Sequence, residues 1–196
     1  QIHLDFRFSN RSRLSINYLF DEFVIDPRIE IGKEHGKANS IKYIQSIVSR
    51  EKNIINIFFS RVFIGTPTFR HGLGTNNFVQ QGRPLGWHKG SDCQEISAGL
   101  TYHNRYNLIA SVSSGFYQSG EESIISRVYE PYEDYLKDSF PSGKIHLTTF
   151  INSSLSYWWK EYLLFSTGIN WFNNENRSNF SLMLNINIYF TFSYLQ

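Results

Sequence analysis

Between Phe180 and Tyr194 the chain sets Phe180, Leu182, Leu184, Ile186, Ile188, Phe190, Phe192 and Tyr194 at every second position, with mostly Asn, Ser and Thr between them. Successive side chains of an extended strand leave opposite faces, so this segment carries one apolar and one hydrogen-bonding face. Such a strand suits a wall with hydrocarbon on one side and water on the other.

The alternation recurs along the chain. Runs over 2–8, 14–21, 40–49, 54–64, 94–103, 106–117, 144–158, 163–171 and 180–194 predict about nine strands, each near the length that crosses a bilayer when tilted. In 94–103, Ile96, Ala98, Leu100 and Tyr102 point outward, opposite Glu95, Ser97, Gly99 and Thr101. The runs 40–49 and 54–64 are apolar on both sides, and their faces stay unassigned. Tight turns near Asn10, Arg50, His103 and Lys160 alternate with longer connections near Asp26–Asn39, Gly65–Cys93 and Gln118–Gly143, and with a shorter one at Asn173–Ser178. Outer-membrane barrels have that asymmetry, with short periplasmic turns and long external loops. Phe190, Phe192 and Tyr194 also resemble the C-terminal aromatic signal of such barrels, here followed by Leu195 and Gln196.

The fold expected is therefore all-β, an antiparallel transmembrane β-barrel of the outer-membrane type, with 1–196 as one domain. An odd strand number favours the C-terminal portion of a larger barrel, because complete single-chain bacterial barrels normally have an even one. If the run 2–8 is not a strand, a closed eight-stranded barrel is the alternative. A soluble β-sandwich is the structural rival.

Composition agrees with a membrane wall. Aromatic residues make up 17% of the chain, more than a soluble core usually needs, while mean hydropathy is negative; barrels place such rings in girdles at both interfaces. Tyr157, Trp158, Trp159 and Tyr162 gather round one predicted turn. No run approaches the roughly 18 apolar residues of a spanning helix. Gln1 to Phe8 lacks the basic start and apolar stretch of an export signal, so a processed chain or a fragment is expected. The single cysteine, Cys93, excludes a disulfide within the chain, and a net charge of +2 without a basic aromatic patch argues against nucleic-acid binding.

The most distinctive loop reads GTPTFRHGLGTNNFVQQGRPLGWHKGSDC over 65–93 and runs into the strand QEISAGLTYH. Gly82, Pro84, Leu85, Gly86, Gly90 and Asp92, followed by an alternating strand, resemble the "GxPLG…GxD" stretch between two barrel strands of Wzi-type capsule assembly proteins. The likeness extends loosely to the Ile-Gly-Lys-Glu-His-Gly segment ending at Gly36 and to the C-terminus. It implies an outer-membrane barrel that attaches or assembles surface polysaccharide as a lectin and not as an enzyme. Family barrels have about twice the strands counted here, so the chain looks like a second half.

The loop chemistry suits an acidic glycan independently. Arg70, Arg83 and Lys89 offer cations, and an Arg fork can pair bidentately with uronate or phosphate. Trp87, Phe78 and Phe69 offer flat faces. His71 and His88 supply donors, and Gln81 and Asp92 accept from hydroxyls. The bland reading is a loop turned by Gly, Pro and Asn and pinned into a barrel mouth by Arg and Trp. In the next loop, Glu121, Glu122, Glu130, Glu133, Asp134 and Asp138 could hold Ca²⁺, or simply form a solvated acidic segment, since no metal-loop spacing is present. Catalytic signatures are missing: Glu133 and Asp134 are adjacent and do not define a separated acid and nucleophile, and no nucleophile elbow, zinc helix or phosphate loop occurs. No cofactor is expected. The expected partners are capsular or surface polysaccharide, outer-membrane lipids and lipopolysaccharide; the protein is expected to be a monomer at the cell surface of a Gram-negative bacterium. A passive porin-like channel is the second expectation, and an outer-membrane enzyme the third.

Overall fold

The computed structural model describes residues 1–22, 35–50, 53–70, 79–81, 83–104, 106–127, 139–175 and 177–189. Nine of its eleven strands join in chain order as an antiparallel meander: β1 (Ile2–Ser9), β2 (Ser12–Glu22), β3 (Gly36–Arg50), β4 (Asn53–Ile64), β7 (Cys93–Asn104), β8 (Leu108–Ser119), β9 (His146–Trp159), β10 (Leu163–Asn174) and β11 (Ser178–Ile188). The remaining two, β5 (Val79–Gln80) and β6 (Arg83–Pro84), make a small hairpin within the 65–93 loop. No helix forms among the described residues.

The expected period-two faces hold across the whole sheet. One rung runs Phe6, Leu14, Tyr43, Phe59, Ala98, Ser114, Ile151, Trp171, Phe180 through successive pairings. The neighbouring rung on the other face runs Arg7, Arg13, Ile44, Phe58, Gly99, Ser113, Asn152, Asn170, Ser181. A register slip of one residue would exchange the two faces, so the alternation itself specifies the pairing. Arg61 interrupts the apolar face, three residues from the loop end of β4.

The polar face is tied by side-chain bonds between strands. Asn17 Nδ2 donates to Ser40 Oγ at 3.0 Å, Ser46 Oγ to Asn56 Oδ1 at 2.6 Å, and Ser111 and Ser154 share a 2.7 Å bond. The apolar face has no such cover. Phe59 is 48% exposed, Ile151 44% and Leu184 71%; the loop ring Phe140 covers Phe63 at the end of β4, with centroids 4.4 Å apart, and leaves the rest of the face open.

The faces of β3 and β4, unassigned from sequence, are resolved by the pairing. Ile41, Tyr43, Ile57 and Phe59 lie on the apolar face, and Phe58, Val62 and Ile64 on the other. Both sides are apolar because the loop after β4 folds back over the polar face and buries Val62 and Ile64 with Phe69, Cys93 and Ile124. Phe58 lies over its cross-strand partner Gly99, where a Cβ would come within 2.6 Å of the ring. Phe150 covers Gly115 in the same way.

The eight-stranded alternative falls and one strand start moves. The run 2–8 is a strand, paired with β2 over most of its length, which removes the condition on which an eight-stranded barrel rested. Among the described residues β1 and β11 each pair on one side only, so the nine strands form an open sheet and not a closed barrel. In a nine-stranded meander the two edges run in the same direction. The strand expected to start at Tyr106 starts at Leu108, because Asn104 Oδ1 accepts from the backbone amides of Asn107 at 2.9 Å and Leu108 at 2.8 Å and holds the turn. Phe190, Phe192 and Tyr194, with the rest of 190–196, lie outside the described residues, as do positions 23–34 of the connection before β3.

Candidate functional site

The connections after β4 and β8 meet over one end of the polar face and lock together on buried polar groups. Asp92, which precedes β7, is fully buried. Its Oδ1 accepts from Thr66 Oγ1 at 2.8 Å and from the Ser142 amide at 3.0 Å, and Oδ2 accepts from Ser142 Oγ at 2.5 Å. The Gly120 amide donates to its carbonyl at 2.9 Å. One residue thus ties both ends of each connection together. Its φ of 54° is a left-handed conformation that Asp tolerates better than most residues.

Arg70 is the second anchor and is also fully buried. Its Nη1 donates to the Glu122 carbonyl at 2.8 Å, and the Glu122 carboxylate in turn lies 3.1 Å from Arg127 Nη1. Ser91 Oγ accepts from the Ile124 amide at 3.0 Å, which seats the Ile124 side chain in the core. A buried charge is tolerable only with partners of this kind.

The glycines of the loop have steric reasons. Gly86 lies against Phe69, and a Cβ there would come within 2.6 Å of the ring. Gly90 has φ of 85°, and a Cβ would meet Ser123 Oγ at 2.7 Å.

The residues singled out from the sequence therefore separate into two groups. Arg70 and Asp92 are interior, with their charged groups engaged in the loop cluster. Arg83, His88 and Gln81 are exposed and Trp87 is half-buried. Gln81 sits in the turn of the β5–β6 hairpin with φ of 51°. Trp87 and His88 are neighbouring rings, with centroids 4.8 Å apart. Lys89 is engaged as well: it pairs with Glu95 and lies 4.0 Å from the Tyr117 ring centroid and 4.6 Å from that of Phe150. His71, Phe78 and Gly82 lie outside the described residues.

Beneath Trp87 is a cavity of about 390 Å³, walled by Leu19, Ala38, Val62 and Phe69 and edged by Asn17 and Ser40. That size is within the ordinary range for small-ligand sites. The indole Nε1 is buried without a hydrogen-bond partner among the described residues. Of the acids in the connection after β8, Glu122 faces Arg70 and Arg127, and Glu130, Glu133, Asp134 and Asp138 lie outside the described residues. Among the described residues no three His, Cys, Asp or Glu side chains converge on a metal position.

Burial, then the adjacent Lys89 ammonium, lowers the pKa of His88 against an opposing pull from Glu95. Its NMR titration midpoint is expected below the ordinary histidine value of 6.5. Because the folded state resists protonation, its contribution to stability is complete above that value and declines as pH falls through it. Lys89→Met removes a like charge and frees Glu95, so the midpoint should rise; an unmoved midpoint would mean that the Lys89 field does not reach the imidazole.

Sequence reasoning did not find the links from Asp92 to Ser142 or from Arg70 to Glu122, which join positions 50 and 52 residues apart. The Gly90, Asp92 spacing was the available signal, since a lone acid directly before a strand suits an internal cap as well as a ligand contact. No protein-family model matches this chain, and neither a curated protein nor a solved structure matches it.

Proposed function

We propose that this chain forms part of the wall of an outer-membrane β-barrel of a Gram-negative bacterium, and that its external loop cluster holds capsular or surface polysaccharide without covalent chemistry. The observation that carries the reading is the largely apolar face that runs from β1 to β11, exposed over most of its extent, opposite a face rich in Ser, Asn and Thr. In water such an area would be an association hazard, whereas in a bilayer it is the surface that lipid and lipopolysaccharide cover. Edge groups left open by β1 and β11 would be satisfied by further strands of a larger barrel, as the Wzi-type resemblance implies.

On this reading the saccharide contacts are Arg83, Trp87, His88 and Gln81, which the exposed or half-buried positions of these side chains favour, with Arg70 and Asp92 as positioning residues. With Arg70 and Lys89 engaged internally, Arg83 is the remaining cation of the original three for an acidic sugar.

Two measurements test this. Heat-modifiable gel migration and a requirement for detergent are expected, while extraction into plain buffer would favour a soluble sandwich. In correctly inserted protein, combined replacement of Arg83, Trp87 and His88 by Ala is expected to release surface polysaccharide; unchanged retention would remove the loop assignment. A passive channel is the second reading, motivated by the hydroxyl- and amide-lined face. The loop cluster over one end of that face predicts little current in planar bilayers, and a large steady conductance would favour the channel.

A further inference from the structure

The far end of the polar face, beside the turn between β1 and β2, holds an excess of positive charge that the described chain leaves unbalanced. Arg7 and Arg13 are direct cross-strand partners. Like charges in that position repel and weaken the ladder. Asp5 on the same face is hydrogen-bonded to only one of them, Arg13, whose Nε donates to Asp5 Oδ1 at 2.8 Å and Nη2 to Oδ2 as a bidentate fork; Arg7 feels the single Asp5 charge through space alone. The guanidinium groups of Arg7 and of Arg11, in the turn, have no hydrogen-bond or ion-pair partner among the described residues.

All three arginines line a single cleft of about 680 Å³, with Ser9, Ser12 and Ser46 beside them. No acid on the polar face of β2 or β3 is close enough to compensate. The next charged position there is Lys42, and Asp21 lies at the opposite end of β2, where its carboxylate accepts from the Phe69 amide. The turn is held in place: Ser9 Oγ accepts from the Arg11 amide at 3.1 Å, and the Ser46 amide donates to the Arg11 carbonyl at 2.8 Å.

We propose that this cleft binds a compact, multiply charged oxyanion of the phosphate class, a pyrophosphate or phosphate monoester. Arg7 and Arg11 supply the free forks, and Asp5 fixes Arg13 as the third wall. A monoanionic carboxylate would neutralise only half of the excess carried by Arg7, Arg11 and Arg13 over Asp5. Planar guanidinium forks also match the spacing of phosphate oxygens. The inference is independent of the polysaccharide reading, which concerns the opposite end of the sheet.

Calorimetry with inorganic pyrophosphate on the whole, solubilised chain is the test. Saturable binding is expected, weakened about tenfold or more by Arg7→Gln and again by Arg11→Gln. Acetate should bind far more weakly than pyrophosphate. Arg7→Lys, which keeps charge and loses the fork, should fall between wild type and Arg7→Gln. Both arginines are exposed and unpaired, so circular dichroism of the variants should match the parent. Sedimentation with phosphatidylcholine vesicles, with and without phosphatidic acid, whose headgroup is a phosphate monoester, separates the sources. Vesicle binding lost in the Arg7→Gln, Arg11→Gln chain assigns the site to a lipid headgroup, and vesicle binding unchanged assigns it to a free phosphate compound. Absence of saturable pyrophosphate binding, or equal binding by the double variant, overturns the site.

Discussion

Asp92→Ala is expected to release the loop cluster from the sheet, with a local destabilisation of about 4 kcal/mol or more, as follows from the donors it would orphan and the backbone it would strain. Thr66 Oγ1, the Ser142 amide and Ser142 Oγ all donate to this buried carboxylate, and each buried donor left without an acceptor costs about 1–3 kcal/mol. Alanine at a φ of 54° adds about 1 kcal/mol or more of backbone strain. Asp92→Asn keeps an acceptor oxygen and a residue tolerant of that φ, so its loss should be clearly smaller. Amide hydrogen exchange separates local from global effects: the Ser142 and Gly120 amides should lose protection in the Ala variant, while central β8 and β9 amides keep theirs. Unchanged protection at Ser142 would show that the carboxylate is not the lock.

Leu184→Arg tests the apolar face with a comparably large effect. Leu184 is 71% exposed and sits midway along β11 on that face. If lipid covers it, an arginine near the bilayer midplane costs about 2–4 kcal/mol of folding free energy. If water covers it, a substitution at so exposed a position changes stability by no more than about 0.5 kcal/mol. Urea titration of refolding into lipid vesicles distinguishes these values, and Asn185→Arg on the opposite face is the control. A Leu184→Arg chain as stable as the parent and the control would sink the lipid-facing assignment.

The strands were legible in the sequence wherever polar and apolar residues strictly alternate. In 94–103, Ile96, Ala98, Leu100 and Tyr102 share the face expected of them, because period two leaves a strand no other arrangement. The signal failed at Phe58, Val62 and Ile64. Val62 and Ile64 are buried by a loop folding over the polar face, and Phe58 is half-buried with its ring resting on Gly99; neither has a local pattern. The start of β8 was misplaced for a local reason, the side chain of Asn104 in the turn.

The candidate site was legible as a loop and not as a division of labour. Arg70, Arg83 and Lys89 are equivalent on paper as exposed-loop cations. In the folded chain Arg70 is sealed under Glu122, Lys89 lies between Glu95 and two rings, and Arg83 remains exposed. Asp92 looked equally able to accept from a sugar hydroxyl, and its carboxylate instead accepts from Thr66 and Ser142.

By itself, the amino-acid sequence determined the all-β class, the nine strands, their order as a meander and which face of most of them is apolar, since alternation and turn residues act over a few positions. Only the tertiary structure decided which loop residues are walls and which are exposed, and that among the described residues β1 and β11 each pair on one side only. The physical reason is separation along the chain: a carboxylate finds its donor 50 residues away only after the ladder has brought the two connections to one end of the sheet.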